Sequence, residues 1–117
     1  MVSRDIPRDE WDRFLDRFNR EHHNEPVSVA KSDIQDGLRF AERTTPLMEI
    51  AHHQNPERIS VTVRETPSSD VTHTIRDPYA LTIDEPAEAD EDPRASLHVI
   101  GPGEHLIVRV DRPASHE

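Results

Sequence analysis

The sequence predicts an α+β protein in which one N-terminal amphipathic helix packs on a curved antiparallel β-meander, or on a partly closed barrel, of roughly six to eight strands. Three observations predict this fold. A helical hydrophobic pattern occupies the start of the chain, short alternating apolar and polar segments fill the rest, and proline recurs between those segments. No second helical pattern is present, which argues against a parallel sheet, because parallel strands need long crossover connections.

The predicted helix covers residues 7–23. Four large apolar residues recur there at the spacing of one helix face: Trp11, Phe14, Leu15 and Phe18. We expect these four residues to anchor the core, since burying each aromatic side chain contributes about 2 kcal/mol. Asn24 can adopt the left-handed conformation that ends a helix, and Pro26 prevents the helix from continuing.

The predicted strands run from residue 27 to residue 110. The clearest lies at 59–64, where Ile and Val alternate with Ser, Thr and Arg, and another is predicted at 38–41. Proline separates the alternating segments about every ten residues, as in a meander with short loops.

The length of 117 residues is that of one domain. We expect this domain to cover residues 1–113 and residues 114–117 to form a frayed tail. An acidic, proline-containing segment at 84–95 predicts a surface loop.

The net charge is −10, from 24 acidic and 14 basic residues, and Lys31 is the only lysine. Arginine-favouring codon usage explains the lysine scarcity, and adaptation to high salt explains the acidic surface, because the Debye length falls to about 3 Å at 1 M salt. Both explanations stay open. The charge argues against a nucleic-acid partner, since such binding depends on neutralising phosphates.

Several function classes are excluded by missing residues. The chain has no cysteine and therefore no thiolate ligand or nucleophile. It carries no phosphate-binding glycine loop, nucleophile elbow or zinc-protease motif, so we expect no enzymatic activity and no cofactor. The longest aliphatic run is Leu106–Val108, far short of the ~20 residues of a membrane span. We expect no membrane partner and a cytoplasmic location.

Two of the eight histidines are weak candidates for metal binding. His98 and His105 flank the turn at 101–104, and a hairpin closed by that turn places them diagonally on one face. Diagonal neighbours lie about 7–8 Å apart, which suits a shared divalent ion. Two histidines alone make a poor site, because zinc sites have three or four protein ligands. Solvated surface histidines are the alternative interpretation.

His73 is a candidate functional residue because it shares a strand face with Val71 and Ile75. The alternative is a buried histidine with one hydrogen-bond partner. The adjacent residues His52 and His53 point to opposite faces if they lie on a strand, so they are not expected to share a ligand.

Three segments resemble a known family: I-P-R-D-E-W at 6–11 with Phe14 and Phe18 behind it, V-T-H-T-I at 71–75, and the hairpin at Gly101–Gly103. Together they are similar to an uncharacterised family of short prokaryotic proteins, classed as a domain of unknown function. The resemblance implies a fold and no catalytic residues. It matches four positions to the family pattern: Trp11, Phe14, Phe18 and His73. The sequence departs from the family at 23–26, where the glycine of an H-x-G-type turn is absent.

Two functional hypotheses follow. The first is a non-enzymatic accessory or protein-interaction domain, in which a partner protein or a second copy pairs with an exposed sheet edge. The alternative is a small-ligand or metal-binding domain that uses His73, His98 and His105.

Overall fold

The computed structural model describes residues 2–33, 44–85 and 95–110. The described elements follow one another in this order: β1 (Val2–Asp5), a 3-10 helix (Arg8–Glu10), α1 (Trp11–His22), β2 (Pro26–Asp33), β3 (Thr45–His53), β4 (Arg58–Thr66), β5 (Ser69–Arg76), β6 (Ala80–Glu85), β7 (Ala95–Gly101) and β8 (Glu104–Val110). The predicted strand at 38–41, the middle of the predicted acidic loop and the predicted tail at 114–117 lie outside the described residues.

All described strand pairs are antiparallel, in the order β1-β6-β7-β8-β2-β3-β4-β5. The predicted α+β fold, with one helix on a curved antiparallel sheet, is confirmed. Two meanders, β2–β5 and β6–β8, are joined where β8 pairs with β2. Among the described strands the sheet does not close, and β1 and β5 are its edges.

The first strand was not expected from the sequence. β1 precedes the helix and pairs with β6, with Val2 opposite Glu85 and Asp5 opposite Thr82. Val2 is the one apolar residue of β1, so no alternating pattern marks this strand. The strands also extend into both ends of the predicted acidic loop, because Asp84 lies in β6 and Ala95 begins β7.

The helix packs on the face of the sheet that carries the core, called the inner face below. Its apolar stripe is buried in this core: Trp11, Phe14, Leu15 and Phe18. The Asn19 side-chain Nδ2 donates to the Ile50 carbonyl at 2.8 Å, and the Ile50 N–H donates to the Asn19 side-chain Oδ1 at 2.7 Å, which fixes α1 against β3. The chain leaves the helix at Asn24, whose φ of 68° is the left-handed conformation expected there.

The sheet curls so strongly that β5 returns towards strands that are not its neighbours. The Lys31 ammonium on β2 donates to the Thr74 carbonyl on β5 at 3.1 Å. Gly101, at the end of β7, lies so close to Ile75 that an added Cβ would be 2.7 Å from the Ile75 Cγ2 atom. The core is therefore enclosed by α1 and by both halves of the sheet.

Within the described ranges, no helix has the length and the apolar character that crossing a membrane requires.

Candidate functional site

The hairpin of β7 and β8 has the register that its turn predicts. Ile100 lies opposite His105, and Val99 lies opposite Leu106. His98 and His105 are therefore diagonal neighbours on the outer face, which is the face opposite the core. The His98 Nδ1 atom lies 3.0 Å from the His105 Nε2 atom, and the ring centroids are 5.2 Å apart.

Two more residues extend this pair into a four-residue chain of contacts. The His98 Nε2 atom lies 2.8 Å from one oxygen of Asp84 on β6. The other Asp84 oxygen accepts a hydrogen bond of 2.5 Å from the Ser3 hydroxyl on β1. The residues Ser3, Asp84, His98 and His105 are called the His98 cluster below. Ser3 and Asp84 were not predicted as site residues, because their positions depend on how β6 pairs with β1 and β7.

The environment of the His98 cluster perturbs two of its ionisable groups. The hydrogen bond from Ser3 is the main cause that lowers the pKa of Asp84, and the hydrogen bond and charge of His98 lower it further against the opposing effect of burial. Burial lowers the pKa of His105, and the positive charge of His98 adds to this effect. At neutral pH the cluster therefore holds a carboxylate anion and a neutral His105.

The chemistry open to the His98 cluster is limited. Its two facing nitrogens are slightly closer than the ~3.3 Å that they would span around a tetrahedral zinc ion with bonds of about 2.0–2.1 Å. In the described part of the chain, no group of three or more His, Cys, Asp or Glu residues is arranged to hold a metal. The Ser3 hydroxyl bonds to a carboxylate and not to an imidazole, so the cluster lacks the nucleophile–base contact of a hydrolase.

The structure does not bring His73 to the His98 cluster. His73 lies on the inner face, half-buried, opposite Val61 on β4. Its ring has no hydrogen-bond partner among the described residues. Burial lowers the pKa of His73, the charge of Lys31 lowers it further, and Glu65 opposes the shift. His73 is thus a neutral ring at the margin of the core, and its candidacy as a functional residue stays a prediction.

A second polar cluster, not predicted from the sequence, lies where the helix meets the β3–β4 hairpin. The His52 Nδ1 atom lies 2.7 Å from an Asp12 oxygen, and its Nε2 atom lies 2.9 Å from a Glu57 oxygen. Arg8 pairs with Glu57, and its guanidinium carbon lies 4.8 Å from the centre of the Trp11 ring. The residues Arg8, Asp12, His52 and Glu57 are called the His52 cluster below.

The one sequence signal for the His52 cluster is that adjacent residues on a strand, here His52 and His53, point to opposite faces. The His52 side chain is 5% exposed, whereas His53 on the other face is exposed. This matches the expectation that the two rings point to opposite faces. The partners of His52 come from the helix and from the turn before β4, and no local sequence pattern connects the helix to β3.

Comparison with protein families gives one decisive result. A model described as a family of unknown function, DUF5335, matches residues 2–117. The chain belongs to this family. The predicted membership of an uncharacterised family is therefore confirmed. Comparison with curated proteins gives no match, and comparison with solved structures gives none either.

Proposed function

We propose that this member of the DUF5335 family is a non-enzymatic accessory or protein-interaction domain whose β5 edge pairs with an extended segment of a partner protein or of a second copy. The observation that carries the proposal is the position of β5 at the end of the sheet order, with β4 as its ladder partner. The first half of β5 presents N–H and C=O groups with which another strand can pair, whereas the second half already contacts Lys31 and Gly101.

The orientation of the β5 backbone supports this proposal. The Thr74 carbonyl points away from β4, because it accepts from Lys31 on the other side. Backbone groups alternate along an antiparallel strand, so those of Thr72 and Asp70 point the same way. On the β4 side, the Thr62 and Thr72 hydroxyls lie 2.9 Å apart, and Arg64 donates to Asp70 at 3.1 Å. These contacts hold the first half of β5 in an extended conformation that suits strand addition.

The experiment blocks the edge without breaking the sheet. Thr72→Pro removes an N–H that faces away from β4 and places the proline ring in the path of an added strand. Thr72→Ala is the matched control, because it loses the Thr62 contact and keeps the N–H. We expect binding of a captured partner, or dimerisation in sedimentation velocity, to survive Thr72→Ala and to be lost in Thr72→Pro. Equal binding by the two variants would contradict the assignment to β5.

A small-ligand or metal-binding domain is the second candidate function. The facing nitrogens of His98 and His105, 3.0 Å apart, support it, since a small separation to about 3.3 Å would let both rings bind one tetrahedral divalent ion. We expect Zn²⁺ to shift the imidazole NMR signals of these two residues before those of other histidines. His105→Ala would abolish this shift, and the exposed His53→Ala is the matched control. Unselective broadening of all histidine signals would argue against a metal site.

The same proposal includes a cytoplasmic location and no nucleic-acid or membrane partner. Cell fractionation followed by immunodetection checks the location, and nuclease treatment of the native extract checks the partner class.

A further inference from the structure

A groove lined by arginines lies between α1 and the edge strand β1. It has a volume of about 310 Å³, and four arginines surround its Phe14 floor: Arg4, Arg13, Arg17 and Arg20. A volume of this order is at the lower end of the range for small-ligand pockets, roughly 300–1,000 Å³. The groove is separate from the β5 edge and from the His98 cluster, so the inference goes beyond the proposed function.

The fold fixes where these guanidinium groups lie. Arg13, Arg17 and Arg20 are spaced at i, i+4 and i+7 of α1, which places them along one side of the helix. Arg4 lies opposite Ile83, a core residue, so it points to the inner face from β1. The guanidinium carbons of Arg4 and Arg17 lie 5.9 Å and 5.8 Å from the centre of the Phe14 ring. These cation–π contacts hold two guanidinium groups in the groove.

The charges in the groove are not balanced. Arg20 donates to Asp16 at 2.8 Å, but within the described part of the chain Arg4, Arg13 and Arg17 have no carboxylate within ion-pairing distance. Among the described lining residues Glu10 and Asp16 are the acidic ones, so the four arginines give this described lining a net charge of +2 (4 − 2). This positive groove belongs to a chain whose net charge is −10.

The arrangement also works against the stability of the helix. Like charges at i and i+4, as in Arg13 and Arg17, destabilise a helix by about 0.2–0.5 kcal/mol. Arg13 lies in the first turn of α1, where the helix dipole disfavours a cation. A bound anion would remove both penalties, because it supplies the negative charge that the lining lacks.

We propose that this groove is a binding site for a small ligand that carries two or more oxyanion groups, either phosphate or carboxylate. The planar guanidinium group matches both anions, because it donates two parallel hydrogen bonds to a pair of oxygens. Three guanidinium groups without a carboxylate partner among the described residues fit a ligand with several oxyanion groups better than a single anion. Arg4, Arg13 and Arg17 are the contact residues.

Isothermal titration calorimetry of the full chain at low salt tests the proposal, with tripolyphosphate in one arm and citrate in the other. The test variant is Arg13→Gln with Arg17→Gln, which keeps two good helix formers in α1. The matched control is Arg58→Gln with Arg76→Gln, which removes the same charge from β4 and β5. We expect the test variant to bind the preferred anion at least about tenfold more weakly, equivalent to about 1.4 kcal/mol. We expect the control variant to change the affinity less than about threefold.

The outcomes separate the two anion classes and the failure of the proposal. Tighter binding of tripolyphosphate assigns a phosphate ligand, and tighter binding of citrate assigns a carboxylate ligand. An equal loss in the test and control variants means general electrostatic attraction and overturns the site, as does the absence of binding by the unmodified chain. Where circular dichroism shows that the double variant is unfolded, Arg4→Gln on β1 replaces it, with the same expected direction.

Discussion

At the residue scale, His52 connects the helix with the β3–β4 hairpin, although no local sequence pattern links these segments. Both of its ring nitrogens face carboxylates, Asp12 on the helix and Glu57 before β4. Its ring also meets Trp11 edge-on, with centroids 5.4 Å apart. One side chain thus ties α1 to the β3–β4 hairpin through polar contacts with two carboxylates.

Replacing His52 with alanine should therefore destabilise the fold. We expect the free energy of unfolding to fall by about 2–3 kcal/mol, because the change removes the contacts of the ring with two carboxylates and leaves a cavity beside Trp11. His53→Ala, on the exposed side of the same strand, should change it by less than about 0.5 kcal/mol. Urea unfolding of both variants measures the difference, and similar losses in the two would contradict the role assigned to His52.

At the scale of elements, the sequence predicts what depends on local periodicity. The helix follows from the spacing of Trp11, Phe14 and Phe18, and β4 from its strict alternation. The diagonal placement of His98 and His105 follows from one short turn, so it too is local. The contacts of these rings with distant residues are not predictable, because they depend on pairings between segments far apart in the chain.

β1 illustrates why part of the fold cannot be predicted from the sequence. Val2–Asp5 has no apolar alternation, and its strand conformation comes from its ladder with β6. Cross-strand polar pairs support that ladder, including Thr82, whose hydroxyl donates to Asp5 at 2.9 Å. Such a strand is defined by its partner and not by its own residues.

The approach of β7 to β5 requires a glycine. A Cβ atom at Gly101 would lie 2.8 Å from the Arg76 carbonyl oxygen, as well as meeting the Ile75 side chain. Gly101→Ala should therefore force the two strands apart and lower the free energy of unfolding by about 1–3 kcal/mol. Gly103→Asn is the matched control at the nearby turn, because asparagine tolerates the φ of 71° found there. Thermal unfolding compares the two variants. An unchanged melting temperature in Gly101→Ala would show that β7 and β5 are not in close contact at this position.

At the scale of the whole molecule, stability should decrease in mild acid. The folded chain holds the pKa values of His73 and His105 below 6.5, whereas the unfolded chain has no burial to lower them. As the pH falls through 6.5, the unfolded state takes up protons before the folded state does, so the free energy of unfolding falls. Below the pKa values that His73 and His105 have in the folded chain, these two groups no longer change the free energy of unfolding. Asp84, with its pKa lowered from 3.8, adds a further loss only at still lower pH.

Urea unfolding at about pH 7.5 and about pH 5.5 measures this effect. We expect a lower midpoint at the more acidic pH. His73→Gln should show a smaller difference between the two midpoints, because one of the two responsible groups is then absent. A midpoint that rises in acid would mean that histidines with raised pKa values dominate instead.

From the net charge of −10 we also predict how the melting temperature depends on salt. Raising KCl from about 0.1 M to about 2 M shortens the Debye length from about 10 Å to a few ångströms and screens repulsion between the carboxylates. We expect the melting temperature to rise over this range, as adaptation to high salt requires. A fall with KCl would favour codon usage as the origin of the composition.

The sheet order also has a consequence for how the chain folds during synthesis. β1 pairs with β6, and one side of β2 pairs with β8, so β1 and that side of β2 both wait for partners made much later. The meander β2–β5 can assemble early, but its inner face lacks the cover that the second meander provides. A nascent chain that stops short of β8 exposes the apolar stripe of α1 and the unpaired side of β2. Folding of this domain should therefore be slow and dependent on protection of the growing chain.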